Sequence, residues 1–251
     1  LTKNDDGTPT GKGFSKPFCY HIDQFESLRP VFMKVIEYSN AMGLDMIQGD
    51  HEDAPGQLEL NWTFDNVLRN ADRLSTYRQI CAQVAREFNL IACFMSKPFM
   101  GVSANGCHTN VSLWKGGELK STPIGNDPLP GMEQVFTHIS GGENMFMPDP
   151  KIDPVKPGPV GLNSIAGMLN HLPALTCLGS PTVNSYRRLW DTGFWAPVYA
   201  DWGYQNRTCS VRVSAPGRVE YRSVDSSHNP HLLGGGILKA FNDGLDKNMD
   251  P

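Results

Sequence analysis

Pro55 and Gly56 force the backbone to reverse direction in the middle of an acidic stretch. Residues 58–62, which follow, alternate between apolar and polar side chains, as is typical of a half-buried strand. The pattern predicts that Glu52 and Glu59 face each other across neighbouring strands. Two carboxylates held close together repel each other unless a cation lies between them, so the spacing indicates a site for a hard divalent metal. The alternative is a surface turn with two solvated acids.

The chain has 251 residues, which allows one large domain or two small ones. Its formal net charge of −4 and its lack of a Lys/Arg cluster argue against a nucleic-acid partner. The six cysteines are scattered without a Cys-x-x-Cys pair, so we expect reduced thiols and a cytoplasmic protein. No apolar run is long enough for a membrane span, and no signal peptide is evident. The first residue is Leu rather than Met, from which we expect a piece of a longer protein.

Apolar residues at helical spacing predict four helices, at residues 24–42, 65–88, 161–178 and 232–246, with Asp65 as the cap of the second. Strands are predicted at residues 90–95, 109–114, 208–213 and 218–222. Residues 115–159 are rich in Gly and Pro and are interpreted as a long, partly ordered excursion, and residues 181–197 as irregular. This mixture favours an α+β domain with a largely antiparallel sheet.

Charged side chains alternate along the predicted strand at 218–222, which places Arg218, Glu220 and Arg222 on one face. Arg207 and Arg212 come just before this strand. Such a set suits a polyanion, because the planar guanidinium meets carboxylate and phosphate oxygens in pairs. The alternative is a solvated edge strand with cross-strand salt bridges.

His108 follows Gly106 closely, and a glycine at this position frees the backbone to approach a ligand. The pattern makes His108 a candidate ligand of a metal or a substrate. The alternative is a histidine with a purely structural role.

Five segments together resemble the successive signatures of the glutamine synthetase family. They are Asp-His-Glu-x-Ala-Pro-Gly-Gln-x-Glu at 50–59, Gly-Cys-His-Thr-Asn-x-Ser at 106–112, Asn-Ser-Tyr-Arg-Arg-Leu at 184–189, Asn-Arg-Thr at 206–208 and Arg-x-Glu-x-Arg at 218–222. The resemblance implies that residues 1–251 form part of that family's catalytic domain, a curved, largely antiparallel half-barrel flanked by helices. It also implies that the small N-terminal domain, a Glu-x-Glu strand and the C-terminal helices lie outside the chain.

The resemblance also implies a role for each matching residue. Glu52 and Glu59 would ligate one metal ion, and His108 and Glu220 a second one on the ATP phosphates. Glutamate would be bound by Gly106, His108, Arg188 and Arg222, and ATP by Phe64, Asn110, Ser112, Arg207, Arg212 and Arg218, with Arg188, Arg207 and Trp195 as the catalytic residues.

The implied reaction is an ATP-dependent ligation. ATP phosphorylates the γ-carboxylate of glutamate, and ammonia or a small amine then displaces phosphate to leave an amide. The implied cofactor is Mg²⁺ or Mn²⁺, with two or more ions per site, and the implied assembly is a homo-oligomer, a dodecamer of stacked rings. The alternative is a catalytically silent relative with a structural or binding role.

Two motifs depart from the family pattern. Trp195 stands where the family's flap carries a Glu that helps to bind and deprotonate ammonium. An indole cannot do this, but it can stack over a cation, which favours the branch that includes γ-glutamylmethylamide synthetase and the γ-glutamyl polyamine ligases. Asp191 is a nearby candidate for the acidic role of the missing Glu. The alternative for Trp195 is that it only packs the flap of an ordinary glutamine synthetase. Ser103-Ala104 replaces the Asn-Gly pair that contacts glutamate.

Overall fold

The computed structural model describes residues 1–10, 19–124, 134–191 and 195–251. It divides into two compact units, the first made of residues 1–94 and 119–139 and the second of residues 95–118 and 140–251. The helices are α1 (Ile22–Ala41), α2 (Val67–Glu87), α3 (Pro159–Asn170), α4 (Leu172–Gly179), α5 (Val183–Trp190) and α6 (Pro230–Asp246). The strands are β1 (Thr2–Lys3), β2 (Pro9–Thr10), β3 (Met46–His51), β4 (Leu58–Trp62), β5 (Thr109–Val111), β6 (Trp114–Lys115), β7 (Glu118–Ile124), β8 (Gln134–Ser140), β9 (Glu143–Asn144), β10 (Trp202–Tyr204), β11 (Val211–Ala215) and β12 (Arg218–Tyr221).

In the first unit, α1 and α2 pack against each other, and α1 also contacts the antiparallel β3–β4 hairpin. The buried face of α1 includes Leu28, Phe32 and Val35, which recur at helical spacing. Gly49 in β3 lies under the Phe32 ring, since a Cβ at this position would fall 2.0 Å from the Phe32 Cζ atom. The helix can therefore approach the hairpin closely only because residue 49 has no side chain.

In the second unit, four strands form a sheet in the order β10-β11-β12-β5. Neighbouring strands run antiparallel except for β10 and β11, which are parallel. One face of this sheet carries Val211, Val213, Val219 and Tyr221, which are fully buried in a core shared with helices α3, α4 and α6. The prediction of an α+β fold with a largely antiparallel sheet is confirmed. The described residues form no closed barrel.

The predicted first and last helices agree with α1 and α6 to within two residues at each end. The second is confirmed as α2, but its predicted cap is wrong. Asn66, not Asp65, has the extended backbone of a cap, and its side chain accepts a hydrogen bond from the Arg69 N–H at 3.0 Å. Asp65 instead forms ion pairs with Arg69 and Arg73.

The helix predicted at 161–178 is two helices, α3 and α4, which meet at His171. Pro173 explains the break, because a proline inside a continuous helix has no N–H to donate and its ring would clash with the carbonyl of residue 169. Residues 181–197 are not wholly irregular, because they contain α5. The side chains of Thr182 and Ser185 cap this helix reciprocally.

Three strand predictions need correction. Residues 90–95 form no strand, and the backbone of Ile91 pairs with that of Leu1 instead. The strand predicted at 109–114 is interrupted between β5 and β6, and the one predicted at 208–213 begins only at Val211. The excursion predicted at 115–159 contains β7 paired with β8 and β9 paired with β6.

Among the helices of the described residues, none combines the length and the apolar composition that a membrane span requires.

Candidate active site

Arg212, Glu220 and Asn110 form a row across three strands of the second unit's sheet. Arg212 in β11 lies opposite Glu220 in β12, and Glu220 lies opposite Asn110 in β5. Residues directly opposite each other share a face, so this row lies on the side away from the apolar core. Side chains alternate between the two faces of a strand. The alternation that buries Val211, Val219 and Tyr221 on one face therefore places Arg212 and Glu220 together on the other.

Glu220 is the buried acid at the centre of this face, with 6% of its surface exposed. Its Oε2 atom accepts a hydrogen bond from Arg212 Nη1 at 2.9 Å, and its Oε1 atom accepts one from Arg222 Nη1 at 3.1 Å. A buried carboxylate is stable only when paired and hydrogen-bonded, and two guanidinium groups meet that need here. The predicted proximity of Glu220 to Arg212 and Arg222 is observed.

His108 lies beside the same pair of residues. Its Nδ1 atom is 3.6 Å from Glu220 Oε1 and 3.3 Å from Arg222 Nη1. The pKa of His108 is well below its usual value, because the protein partly desolvates the ring, 31% of whose side-chain surface stays exposed, and because Arg222, Arg188, Arg207 and Arg212 surround it with positive charge. The imidazole is therefore neutral near pH 7 and keeps a lone pair for a ligand.

Gly106 allows the backbone to pass close to this imidazole. A Cβ at position 106 would lie 2.8 Å from His108 Nε2. Any larger residue would therefore push the ring from its position.

Arg188 enters from α5 and is 3% exposed. Its Nη2 atom donates to the backbone carbonyl of Arg222 at 3.1 Å, which brings the two predicted glutamate-binding arginines together. Its Nη1 atom is buried and has no hydrogen-bond partner within the described ranges. Desolvation lowers the pKa of Arg188 to about 10, with Asp225 acting in the opposite direction, so the side chain remains charged near neutral pH.

The predicted phosphate-binding arginines differ in burial. Arg207 is exposed, and its carbonyl accepts a hydrogen bond from Arg222 Nε at 3.0 Å. Arg218 is also exposed and donates through Nε to Ser214 Oγ at 3.1 Å. Arg212 is largely buried, and no described residue forms a hydrogen bond with its Nε atom.

The predicted nucleotide-contacting residues lie in both units. Asn110 is exposed, and its Oδ1 atom accepts from Ser214 Oγ at 3.2 Å. Ser112 Oγ accepts from Trp114 Nε1 at 2.9 Å. Phe64 belongs to the first unit, in the loop after β4, with 47% of its surface exposed.

The predicted pairing of Glu52 with Glu59 is wrong in its register. Glu59 lies opposite Asp50 on the β3–β4 ladder, whereas the Glu52 N–H bonds to the Gln57 carbonyl at 2.9 Å, one residue past the end of β3. The turn closes with a hydrogen bond from the Gln57 N–H to the Ala54 carbonyl, which fixes this register. Asp50 is thus a candidate ligand that the sequence prediction missed, although its position two residues before Glu52 is a signal for a shared strand face.

Trp195 is 56% exposed and has a positive φ of 58°, which is uncommon for a bulky residue. Asp191 is a candidate replacement acid from the sequence. Its carboxylate forms an ion pair with Lys97 Nζ at 2.8 Å and accepts a hydrogen bond from the Gly101 N–H. Both contacts lower the pKa of Asp191, so this carboxylate is not poised to take up a proton. Residues 192–194, the rest of the predicted flap before Trp195, lie outside the described residues.

The carboxylates of both units supply the oxygen ligands that a hard divalent cation prefers, and His108 adds a nitrogen donor in the second unit. In the second unit a neutral imidazole adjoins a carboxylate, and each oxygen of Glu220 accepts one N–H and keeps further lone-pair capacity. Within the described ranges no three His, Cys, Asp or Glu side chains cluster closely enough to enclose a metal ion. One or two protein ligands, completed by water and substrate phosphates, is the usual arrangement for Mg²⁺. The donors therefore fit this kind of metal.

Gln205 is a second residue that the sequence prediction missed. Its Oε1 atom accepts from Arg212 Nη2 at 2.7 Å, and its Nε2 atom donates to the Ser214 carbonyl at 2.6 Å. Gln205 and Glu220 therefore bind different terminal nitrogens of the Arg212 guanidinium. Only its place just before Asn206-Arg207 marks it in the sequence.

Comparison with known proteins identifies the family of this chain. The family model "Glutamine synthetase, catalytic domain" matches residues 3–142 and 133–251. A glutamine synthetase of Rhizobium leguminosarum bv. phaseoli is 33% identical over 93% of this chain and 49% of its own length. A glutamate–methylamine ligase of Methyloversatilis universalis is 33% identical over 96% of this chain and 50% of its own length.

A solved structure of GmaS in complex with ADP superposes with a TM-score of 0.79 at 29% identity, covering 100% of this chain and 53% of that one. The chain thus spans about half the length of the relatives that it matches. The family model nevertheless extends over nearly all of it. The chain belongs to the glutamine synthetase family and corresponds to its catalytic domain.

Proposed function

We propose that the chain carries catalytic residues of an ATP-dependent ligase that joins the γ-carboxylate of glutamate to ammonia or a small amine. The observation that carries this proposal is the polar face of the sheet, where Arg212 and Arg222 bind Glu220, and where His108 lies within the electrostatic reach of Arg188, Arg207, Arg212 and Arg222. The proposal is also supported by relatives named glutamine synthetase and glutamate–methylamine ligase.

Two buried guanidinium donors favour an anionic substrate. Arg188 Nη1 and Arg212 Nε are buried without hydrogen-bond partners among the described residues. An unpaired buried donor is costly, and a carboxylate or phosphate oxygen is its strongest partner. We assign Arg188 and Arg222, with the backbone at Gly106 and the side chain of His108, to glutamate. Arg207, Arg212 and Arg218 are assigned to the ATP phosphates, and Asn110, Ser112 and Phe64 to the nucleotide.

Mg²⁺ or Mn²⁺, with two or more ions per site, completes the proposal. His108 and Glu220 would hold one ion, and Glu52 and Glu59, joined by Asp50, a second. When bound, these ions neutralise charge on the phosphates during transfer. We place His108 as a neutral ligand, consistent with the cause of its lowered pKa.

The arginines have the main electrostatic task in the proposed reaction. A γ-carboxylate oxygen of glutamate attacks the γ-phosphorus of ATP, and ADP leaves. Arg207 and Arg212 disperse the charge that develops on the transferred phosphoryl group, while Arg188 holds glutamate in line. The amine then attacks the γ-carbonyl carbon, phosphate leaves, and the nitrogen loses a proton to give the amide.

Trp195 is proposed to contact the incoming amine. Its side chain is 56% exposed, and an indole can stack over an alkylammonium ion or pack against its carbon atoms. This supports a small alkylamine as the second substrate, with ammonia as the other member of the same reaction class. The family resemblance alone supports the further proposals of a homo-oligomer of stacked rings and a cytoplasmic location.

The deciding experiment measures phosphate release by the full-length protein with ATP, Mg²⁺ and glutamate. Ammonium, methylamine, ethanolamine and putrescine are compared as second substrates, and reactions without glutamate serve as controls. We expect amine-dependent release, with methylamine at least equal to ammonium. A clear preference for ammonium would contradict the role of Trp195. Absence of phosphate release, and of a thermal shift with ATP, Mg²⁺ and methionine sulfoximine, would support the catalytically silent alternative.

A further inference from the structure

Lys97 is a buried cation outside the set of arginines described above, and its side chain is fully shielded from solvent. Its ammonium group forms an ion pair with Asp191 Oδ2 at 2.8 Å and donates to the Val102 carbonyl. Its backbone is bound as well, since the Lys97 N–H donates to Asn184 Oδ1 at 2.7 Å and Asn184 Nδ2 donates to the Lys97 carbonyl at 2.9 Å. A side chain with these contacts has no surface left for ATP or glutamate.

The partners of Lys97 lie at the two ends of α5. Asn184 is in the first turn of this helix, and Asp191 is the residue that follows its last turn. Asp191 also accepts a hydrogen bond from the Gly101 N–H at 2.9 Å, so the segment 97–101 is fixed to the helix at both ends. These two partners are separated from Lys97 by 87 and 94 positions of sequence, so only the tertiary fold brings them together.

Arg188 lies between Asn184 and Asp191 along α5. Asn184, Arg188 and Asp191 follow the spacing i, i+4, i+7 and therefore share one face of α5. The Arg188 guanidinium is buried, with one hydrogen bond to the Arg222 carbonyl and one nitrogen that no residue in the described part of the chain pairs with. A helix of eight residues has little stability of its own, so its orientation depends on such tertiary contacts.

We propose that Lys97 is a positioning residue for Arg188, acting through Asn184 and Asp191 to fix the angle at which α5 presents the guanidinium to glutamate. This inference rests on the proposed function, in which Arg188 binds the glutamate substrate. It assigns Lys97 to glutamate binding without any contact between Lys97 and a substrate.

The test compares variants of the full-length protein in steady-state kinetics. Lys97→Met removes the ammonium and keeps most of the side-chain volume, and we expect it to raise KM for glutamate about tenfold while KM for ATP stays within about twofold. Asp191→Asn keeps an oxygen acceptor and should give an intermediate KM for glutamate. Lys247→Met is the control, because it removes an exposed Lys–Asp pair of 2.9 Å at the C-terminal end of α6, and its KM values should remain unchanged.

The double variant Lys97→Met/Asp191→Asn separates positioning from folding. Removing both charges relieves the unpaired carboxylate, so thermal stability should recover relative to Lys97→Met while KM for glutamate stays raised. A KM that recovers together with stability would overturn the proposal, as would a folded Lys97→Met with unchanged KM for glutamate. If Lys97→Met does not fold, Asp191→Asn decides by the same criterion.

Glutamate binding measured by calorimetry without ATP distinguishes a failure of the proposed role of Lys97 from a failure of the proposed function. Wild-type protein that binds glutamate but releases no phosphate contradicts the proposed function alone, and weaker binding by Asp191→Asn would then still support the role of Lys97. Wild-type protein that neither turns over nor binds glutamate overturns both.

Discussion

Asp50 and Glu59 lie directly opposite each other on the β3–β4 ladder, so two carboxylates share one face of this hairpin. Each is bound by a neighbouring amide on its own strand. Gln48 Nε2 donates to Asp50 at 2.9 Å, and Asn61 Nδ2 donates to Glu59 at 3.0 Å. These amides orient the carboxylates, but they carry no charge to offset the repulsion between them.

Asp50→Asn should raise the free energy of unfolding by about 0.2–1 kcal/mol in chelator-treated protein, because it removes a like-charge cross-strand pair. The same variant should lose part of the stabilisation that Mg²⁺ gives the wild type, since one candidate ligand is gone. Denaturant unfolding with and without Mg²⁺ measures both effects. Asp5→Asn, an exposed acid between β1 and β2, should change neither quantity. A destabilised Asp50→Asn in the absence of metal would contradict the repulsion.

Glu220→Ala should abolish ATP turnover and destabilise the protein by about 3–5 kcal/mol, because Arg212 and Arg222 would lose their buried counterion. Glu220→Gln keeps the shape and two hydrogen-bonding atoms, so it should lose turnover with a smaller loss of stability. Phosphate release and denaturant unfolding are the measurements. Glu143→Ala, at an exposed acid on β9, is the control. Retained turnover in Glu220→Ala would exclude Glu220 as a metal ligand.

Gly106→Ala should lower the rate of glutamate-dependent ATP hydrolysis at least about tenfold, since its Cβ would lie 2.8 Å from His108 Nε2 and displace the imidazole. Stability should change little, because the displaced atom is the end of a side chain that can rotate. Gly235→Ala in α6 is the control, as its Cβ would meet no atom within 4 Å. It should be stabilising by about 0.5–1 kcal/mol with unchanged activity. Equal activity of the two variants would show that Gly106 does not position His108.

Gly167→Ala should be destabilising by about 2–3 kcal/mol, because its Cβ would fall 2.1 Å from the Ala240 carbonyl oxygen where α3 crosses α6. Gly244→Ala should behave alike, with the Asn163 carbonyl at 2.1 Å. Thermal unfolding measured beside Gly235→Ala separates this clash from the general effect of alanine in a helix. A stabilised Gly167→Ala would show that the two helices can move apart freely.

Alternation along a strand was enough to predict which charged residues share a face. The period of two placed Arg218, Glu220 and Arg222 together, and β12 confirms that prediction for its part of the chain. Helical periodicity likewise predicted α1, α2 and α6, whose buried residues recur at the expected spacing. Helical periodicity failed at Pro173, because the apolar pattern continues through this residue although a proline in the interior of a helix kinks or breaks it.

Local sequence patterns do not determine strand register or the pairing of residues that are far apart in the sequence. The sequence marked Glu52 and Glu59 as a pair, but the hydrogen bonds of the turn set Asp50 opposite Glu59. The offset of two residues keeps Asp50 and Glu52 on the same face of β3, so alternation predicted the face correctly but not which acid lies opposite Glu59. The roles of the individual site residues stay predictions.

By itself, the sequence determined the chemistry available to this protein: its acids, its arginines, the neighbouring Gly106 and His108, and the motifs that identify its family. The tertiary structure alone decided that Lys97 is buried against Asp191 and that Arg188 donates to the Arg222 carbonyl. The physical reason is that burial and ion pairing depend on segments about 90 residues apart, whose approach is set by packing of the whole unit rather than by local backbone preference.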